Sequence, residues 1–280
     1  MIKHFFQTVK IVFKNPIIVS TYVCILLFSQ IFLVISLSKN YSSSFAFGFA
    51  VCSVLLSIIA LFSGWLNMCK SLIVNENQPE SVYQEQSKNL IETFFSGVSD
   101  YFTINTLIFF VASLLFFLGI YLGYNILADC FPALVVNSDD FLKFYDAIKE
   151  KPNLDLTTLD SKMWNIIHIM AVIQFFYWVF SFFVSMFVAG NYFAPKGKLI
   201  TNTIKIISLN IVDILKLMGL FFICYFILSI VISILTSNIF TSILAIFLIG
   251  YFISTYNIMI LRFYDNKNKS LCNSGSNCKR

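Results

Sequence analysis

Three polar side chains inside long apolar runs are the first residues in this sequence that could do chemistry. His168 could bind a ligand or relay a proton, and the amides of Gln174 and Asn257 could hydrogen-bond a substrate. Ionisable and polar groups are costly inside a bilayer, so they often mark a solute or proton path. Each also has a structural interpretation. His168 lies near Trp164, as an interfacial histidine would, and buried amides often join helices at about 0.6–2 kcal/mol.

Lysines in two amphipathic segments form a second candidate site. The segments Ile2–Lys14 and Lys198–Asn210 place lysines on one side of a helix and aliphatic or aromatic residues on the other. This pattern is typical of a helix that lies flat on an anionic inner leaflet. We therefore expect membrane lipids as partners. The lysines predicted to contact lipid headgroups are Lys3, Lys10, Lys14, Lys198 and Lys205.

The amino-acid composition indicates the class of protein that must position these residues. Of 280 residues, 58% are hydrophobic and only 12% are charged, whereas a soluble domain carries about 25% charged residues. So few charges cannot supply the polar surface of a water-soluble fold. The composition excludes an ordinary soluble enzyme, a disordered protein and a nucleic-acid-binding protein, and it predicts an integral membrane protein.

Sequence motifs for catalysis and cofactor binding are absent. The chain has no phosphate-binding Gly-Lys-Ser/Thr loop, no His-Glu-x-x-His pair and no Gly-x-Ser-x-Gly elbow. Its seven cysteines are an odd number without close spacing, which argues against a disulfide framework or a metal site. We therefore expect no metal, no cofactor and no enzyme activity.

Six apolar runs are long enough to cross a membrane, since a helical span needs about 20 apolar residues. None has an acidic or basic residue well inside it. The runs are Ile17–Leu37, Phe45–Cys69, Phe102–Leu127, Trp164–Ala189, Leu217–Leu235 and Ile239–Leu261. The predicted fold class is all-α: a polytopic integral membrane protein with six transmembrane helices and cytoplasmic interfacial helices. Residues 1–262 are predicted to form one membrane domain.

The distribution of lysine and arginine predicts the orientation. Segments on the amino-terminal side of the membrane carry 14 basic residues, and those on the opposite side carry five. Because basic residues favour the cytoplasmic side, we predict a multi-pass protein of the cell inner membrane with both termini in the cytoplasm. The outer segment 128–163 would be either a lid over the helices or a loop packed on their surface. We expect residues 263–280 to form a disordered polar tail.

A short internal repeat suggests how the spans are organised. Residues 8–15 match residues 203–210 at a constant offset of 195, with Thr, Lys, Ile and Asn in common. A looser third instance precedes the third span, where residues 90–98 form an apolar stripe before Asp100. The pattern predicts three units of about 1–74, 75–190 and 191–262, each an interfacial helix followed by a hairpin of spans. Chance matching in a chain rich in Ile, Lys and Asn is the alternative.

Three parts of the sequence carry a resemblance to a known group of proteins. They are the lysine-bearing helix Ile2–Lys14, the stretch Ser63-Gly64-Trp65-Leu66-Asn67 at the end of the second span, and Lys198–Asn210. In layout the chain resembles a group of uncharacterised six-span bacterial membrane proteins, which is similar to the membrane domain fused to some glycerophosphodiester phosphodiesterases. The resemblance implies a six-span fold. It does not imply phosphodiesterase activity, because the sequence lacks that catalytic domain.

These observations favour one function and leave a second open. The first is a non-enzymatic membrane protein that interacts with inner-leaflet lipids or scaffolds partner proteins. The second is a small-solute or lipid transporter with a midplane cavity near Gln174, His168 and Asn257. An intramembrane enzyme would need a nucleophile or carboxylate beside His168, and the sequence offers none.

Overall fold

The computed structural model describes residues 2–38, 44–74, 80–99, 161–194, 198–235 and 239–274. The regular structure in these ranges is helical. In chain order the helices are α1 (Ile2–Lys14), α2 (Pro16–Ser38), α3 (Ser44–Val74), α4 (Glu80–Ser99), α5 (Ser161–Phe193), α6 (Leu199–Leu209), α7 (Ile211–Leu235) and α8 (Ile239–Ser274). The predicted span at residues 102–127 and nearly all of the predicted outer segment 128–163 lie outside the described residues.

The chain divides into two compact units. The first comprises Met1–Thr103 and Val184–Arg280, and the second comprises Ile104–Phe183. Of the second unit the structure describes residues 161–183, the first part of α5. The helix contacts described below belong to the first unit. The three sequence units of about 1–74, 75–190 and 191–262 stay a prediction.

Three described helices contain segments long and apolar enough to cross a membrane: Leu56–Val74, Ile211–Ile232 and Thr241–Leu271. The segments Lys3–Lys14 and Pro16–Phe32 also qualify when they are taken together as one bent span. Such helices indicate insertion into a membrane. Helices are present at five of the six predicted spans, namely in α2, α3, α5, α7 and α8.

Pro16 separates α1 from α2, and the two helices meet at an angle of 78°. A proline keeps the preceding residue out of the α region, but it fits the first position of a helix, where its missing N–H needs no partner. The Asn15 N–H donates to the Val12 carbonyl and the Ile18 N–H donates to the Asn15 carbonyl, both over 3.1 Å. Pro16 thus predicts a break between the two helices from the sequence alone, and the structure confirms it.

Two glycines let α3 and α4 approach closely. A Cβ on Gly64 would lie 2.7 Å from a backbone oxygen of α4, and a Cβ on Gly97 would lie 3.0 Å from the Gly64 Cα. Side chains of α3 then bond to the α4 backbone. Ser63 Oγ donates to the Gly97 carbonyl over 3.1 Å, and Asn67 Nδ2 donates to the Thr93 carbonyl over 3.0 Å. The small and amide residues of this stretch therefore hold α4 against α3.

The last helix, α8, is central to the first unit and packs against α1, α2, α3, α6 and α7. Gly250 permits its contact with α2, since a Cβ there would lie 3.0 Å from side-chain carbons of Val19 and Val23. Trp65 joins α3 to the same helix α2. Its indole is buried and donates Nε1–H to the Ile18 carbonyl over 3.0 Å.

Residues 263–274 continue α8 and are helical, whereas we expected them to belong to a disordered tail. The reason is tertiary contact. Tyr264 and Asn268 are buried, and Asn268 Nδ2 donates to the Phe193 carbonyl over 2.7 Å. Lys267 forms an ion pair with Asp213 at 2.7 Å. The expected disorder is therefore corrected for this part of the tail, and residues 275–280 lie outside the described residues.

Candidate functional site

The two amphipathic helices, α1 and α6, end in the same local structure. Asn15 Nδ2 donates to the Ile11 carbonyl, and Asn210 Nδ2 donates to the Ile206 carbonyl, each over 2.9 Å. In both cases a side-chain amide supplies a donor to the last turn of the helix, where backbone carbonyls lose their helical partners. The following helix begins at the next residue in each case.

Two threonines at matched positions, Thr8 and Thr203, fix these helices to α8. Both are fully buried. Arg262 Nη1 of α8 donates to Thr8 Oγ1 over 3.4 Å, and Thr203 Oγ1 lies in hydrogen-bond contact with the Tyr264 hydroxyl at 3.0 Å. Thr8 also donates to the His4 carbonyl over 2.9 Å. The threonine side of each amphipathic helix therefore faces the protein.

Beside the threonine side, α1 and α6 each have a lysine side and an apolar side, and both of these are exposed. Lys10 and Lys205, again at matched positions, are exposed, as are the other lysines predicted to contact lipids, Lys3, Lys14 and Lys198. Large apolar side chains beside the lysines are more than half exposed. They are Phe6 and Phe13 on α1 and Ile200 and Ile204 on α6. Adjacent apolar and lysine sides are what a helix lying along a bilayer surface requires.

Aromatic rings pack α1 against α7 and α8. Phe5 contacts Phe221 of α7 edge to face, with ring centroids 6.1 Å apart. Phe221 is fully buried and in turn meets Tyr256 of α8 at 4.8 Å. Further along α1, Phe13 stacks on Tyr251 at 4.7 Å. These contacts within the protein therefore hold α1 against α7 and α8 along its length.

A polar cluster that includes Asn202, Tyr264 and Asn268 holds α6 against α8. Asn202 Nδ2 donates to the Tyr264 hydroxyl and to Asn268 Oδ1, both over 3.0 Å. The helix α5 comes close at Gly190, where a Cβ would lie 2.5 Å from Thr203 Oγ1. Any larger residue at this position would displace the threonine from the tyrosine. The cluster thus fixes the ends of α5, α6 and α8 together.

A cavity of about 280 Å³ lies between α1, α7 and α8. Its charged walls are basic except for one carboxylate, Asp213, which accepts a hydrogen bond from Lys267 Nζ at 2.7 Å. The residues that line it are His4, Asp213, Leu217, Met259, Arg262, Phe263, Asn266 and Lys267. Side chains of this kind can bind an anion at one end and an apolar group at the other.

A second cavity, of about 360 Å³, lies between α2, α3 and α4. Its lining is almost entirely apolar and includes Phe28, Met68 and Phe94. Among the residues that the structure describes, no charged side chain lines it. It can therefore accommodate apolar groups.

The three residues predicted to bind a ligand lie in α5 and α8. Asn257 of α8 is half-buried, and its Nδ2 donates to the Ile253 carbonyl over 3.0 Å, a bond within its own helix. His168 and Gln174 lie on α5, but their side chains lie outside the described residues. The candidate ligand site formed by these three residues stays a prediction.

Sequence reasoning missed the residues that line the basic cavity. Asp213, Arg262 and Lys267 are not among the candidate site residues predicted from the sequence. The sequence carried no signal for this site, because Arg262 and Lys267 lie five residues apart, about 140° around a helix, and Asp213 is distant from both in the sequence. Among the described residues, no group of three His, Cys, Asp or Glu side chains could hold a metal ion.

Comparison with known proteins adds no relative. No protein-family model, no curated protein and no solved structure matches the chain. The resemblance of layout noted above therefore stays a prediction. The function has to be inferred from the contacts and charges of this chain.

Proposed function

We propose that this chain is a non-enzymatic, multi-pass protein of the inner membrane that binds anionic lipids of the cytoplasmic leaflet through α1 and α6. One observation carries the proposal. Each helix turns a threonine side to α8, an exposed apolar side and an exposed lysine side, with Thr8 and Lys10 matched by Thr203 and Lys205. The apolar side would enter the acyl boundary while the lysines meet phosphate groups.

The charges on these helices are sufficient for a lipid preference. A basic residue near an anionic leaflet contributes about 1 kcal/mol, and five exposed lysines lie on α1 and at or within α6. At 0.1 M salt, exposed charges that are more than about 10 Å apart are largely screened from each other. We therefore expect a preference for anionic lipids that weakens as the salt concentration rises.

The proposal includes a topology. Six spans in three units would place α1, α6 and both termini on the cytoplasmic side, as the excess of lysine and arginine there favours. The matched ends of α1 and α6 support two of the three repeat units. Membrane lipids, or proteins that assemble on the same lipid surface, would be the partners.

The transporter remains the alternative. It needs a midplane cavity near His168, Gln174 and Asn257, and the Asn257 amide bonds within its own helix. Both cavities described above are lined by other residues. No described residue favours transport over lipid binding.

Lipid enrichment around the full-length protein tests the proposal. The protein is reconstituted in nanodiscs of mixed phosphatidylcholine and phosphatidylglycerol, and the phosphatidylglycerol fraction is measured at low and high salt. Reversing the charge of Lys3, Lys10, Lys14, Lys198 and Lys205 to Glu should abolish the enrichment. The matched control reverses Lys143, Lys149 and Lys151 in the predicted outer segment and should leave it unchanged. Equal enrichment in both variants would contradict the proposal.

A further inference from the structure

The cavity between α1, α7 and α8 has no role in the function proposed above. We propose that it binds one phosphate group of an anionic lipid, held by Arg262 and Lys267. This inference deepens the proposed function, on which it rests, because it adds one specific lipid to the general attraction of the exposed lysines.

The charge of the cavity favours an anion. Arg262 and Lys267 supply two positive charges, and Asp213 supplies one negative charge through its 2.7 Å ion pair with Lys267. His4 adds a further donor from α1. Among the described residues, the charged side chains that line the cavity therefore sum to a net positive charge. In this partly enclosed space an ionic contact is screened less than on the open surface.

The types of the basic residues suit a phosphate. A guanidinium presents planar N–H donors that match two phosphate oxygens, and a lysine ammonium binds phosphate as a compact charge. The contact of Arg262 with Thr8 Oγ1, at 3.4 Å, positions the guanidinium beside α1. Lys267 Nζ lies 5.5 Å from the centroid of the Phe263 ring, in a cation–π contact that helps to position the ammonium.

The remaining walls favour a lipid over free phosphate. Leu217, Met259 and Phe263 line the cavity, and a volume of about 280 Å³ exceeds what an inorganic phosphate needs. A glycerol backbone or the first carbons of an acyl chain would fill this apolar part.

Native mass spectrometry of the full-length protein tests the site. The probes are phosphatidylglycerol, a diacylglycerol with the same acyl chains and inorganic phosphate. The first variant combines Arg262→Gln with Lys267→Gln. A second variant, Arg262→Lys, keeps the positive charge but removes the planar guanidinium donors. The matched control is Lys269→Gln. Lys269 also pairs with an aspartate, Asp265, but it does not line the cavity. Thermal stability is measured for every variant.

We expect one phosphatidylglycerol to be retained per chain, and the double variant to retain it at least about tenfold more weakly, since each lost charge-assisted bond is worth about that factor. Arg262→Lys should be intermediate, Lys269→Gln should match the parent, and diacylglycerol should bind weakly to all. Equal retention by the double variant, or equal loss in Lys269→Gln, overturns the site. Tight binding of inorganic phosphate that excludes phosphatidylglycerol overturns the lipid as its source.

The result separates the two proposals. If the reversal of all five lysines, Lys3, Lys10, Lys14, Lys198 and Lys205, abolishes general enrichment of phosphatidylglycerol while the single lipid is retained, both hold. If enrichment is unchanged by that reversal, the proposed function fails even where the cavity binds. If enrichment responds and the single lipid does not depend on Arg262 and Lys267, only the cavity site fails.

Discussion

The side-chain amides of Asn15 and Asn210 donate over the same distance, 2.9 Å, to the carbonyl four residues earlier, although 195 residues separate them. Each ends an amphipathic helix at the point where a long apolar helix begins. The agreement extends to the buried threonines and exposed lysines of the two helices. It favours the hypothesis that both helices are copies of one unit and perform one task.

The close crossing of α3 and α4 gives a prediction about stability. Gly64→Ala would place a Cβ 2.7 Å from the backbone oxygen of Phe94 and 2.7 Å from a methyl group of Val98. A backbone atom cannot move aside as a flexible side chain does, so the helices must separate. We expect a loss of about 1–3 kcal/mol, typical of overpacking, measured as a lower midpoint of thermal unfolding in detergent.

Gly219 of α7 provides the matched control. A Cβ there would meet nothing within 4 Å, so Gly219→Ala should be neutral or stabilise by up to about 1 kcal/mol through helix propensity. If both substitutions shift the midpoint equally, close packing at Gly64 does not explain the stability of this pair.

The polar cluster around Tyr264 gives a second prediction. Tyr264→Phe removes the hydroxyl that contacts Asn202 and Thr203, and it leaves the half-buried Asn202 amide and the buried Thr203 hydroxyl with fewer partners. We expect a cost of about 1–3 kcal/mol. Because the hydroxyls share one bond, adding Thr203→Val should cost less than the sum of the single changes. Thr201→Val, at an exposed position of the same helix, is the control. Strict additivity would count against the cluster.

The predicted orientation can be tested by labelling single cysteines in a variant without the seven native ones. A cysteine at Gln7 or Asn266 should resist a membrane-impermeant maleimide in intact cells and react once the cells are opened. A cysteine at Ser138, in the predicted outer segment, should react in intact cells. Labelling of Gln7 in intact cells would reverse the topology.

Much of the helical layout was predictable because apolar length and proline are local signals. The sequence predicted α1 at its observed bounds and the break before Pro16. It also placed five spans inside observed helices. The candidate lipid contacts of Lys10 and Lys205 were visible too, since a helical period of 3.6 residues separates polar from apolar sides without knowledge of the fold.

The cavity and the polar tail were not predictable because they depend on contacts between distant segments. Composition makes residues 263–274 look disordered, yet Asn268 bonds to the carbonyl of Phe193 and Lys267 pairs with Asp213. Likewise the amphipathic pattern of α1 suggested two sides. The third, buried side at Thr8 became apparent only with Arg262 beside it.

The depth of α1 and α6 in a bilayer decides whether these two helices lie along the membrane surface and bind its lipids. Spin labels are attached to single cysteines at Phe6 and Ile200, on the exposed apolar sides, and at Lys10 and Lys205, on the lysine sides. Collision with oxygen and with a water-soluble nickel chelate gives the depth of each label in reconstituted vesicles. We expect the labels at Phe6 and Ile200 to lie about 5–10 Å below the headgroup boundary, and those at Lys10 and Lys205 to remain in water. Labels on both sides at the bilayer centre, or all four fully in water, would contradict it.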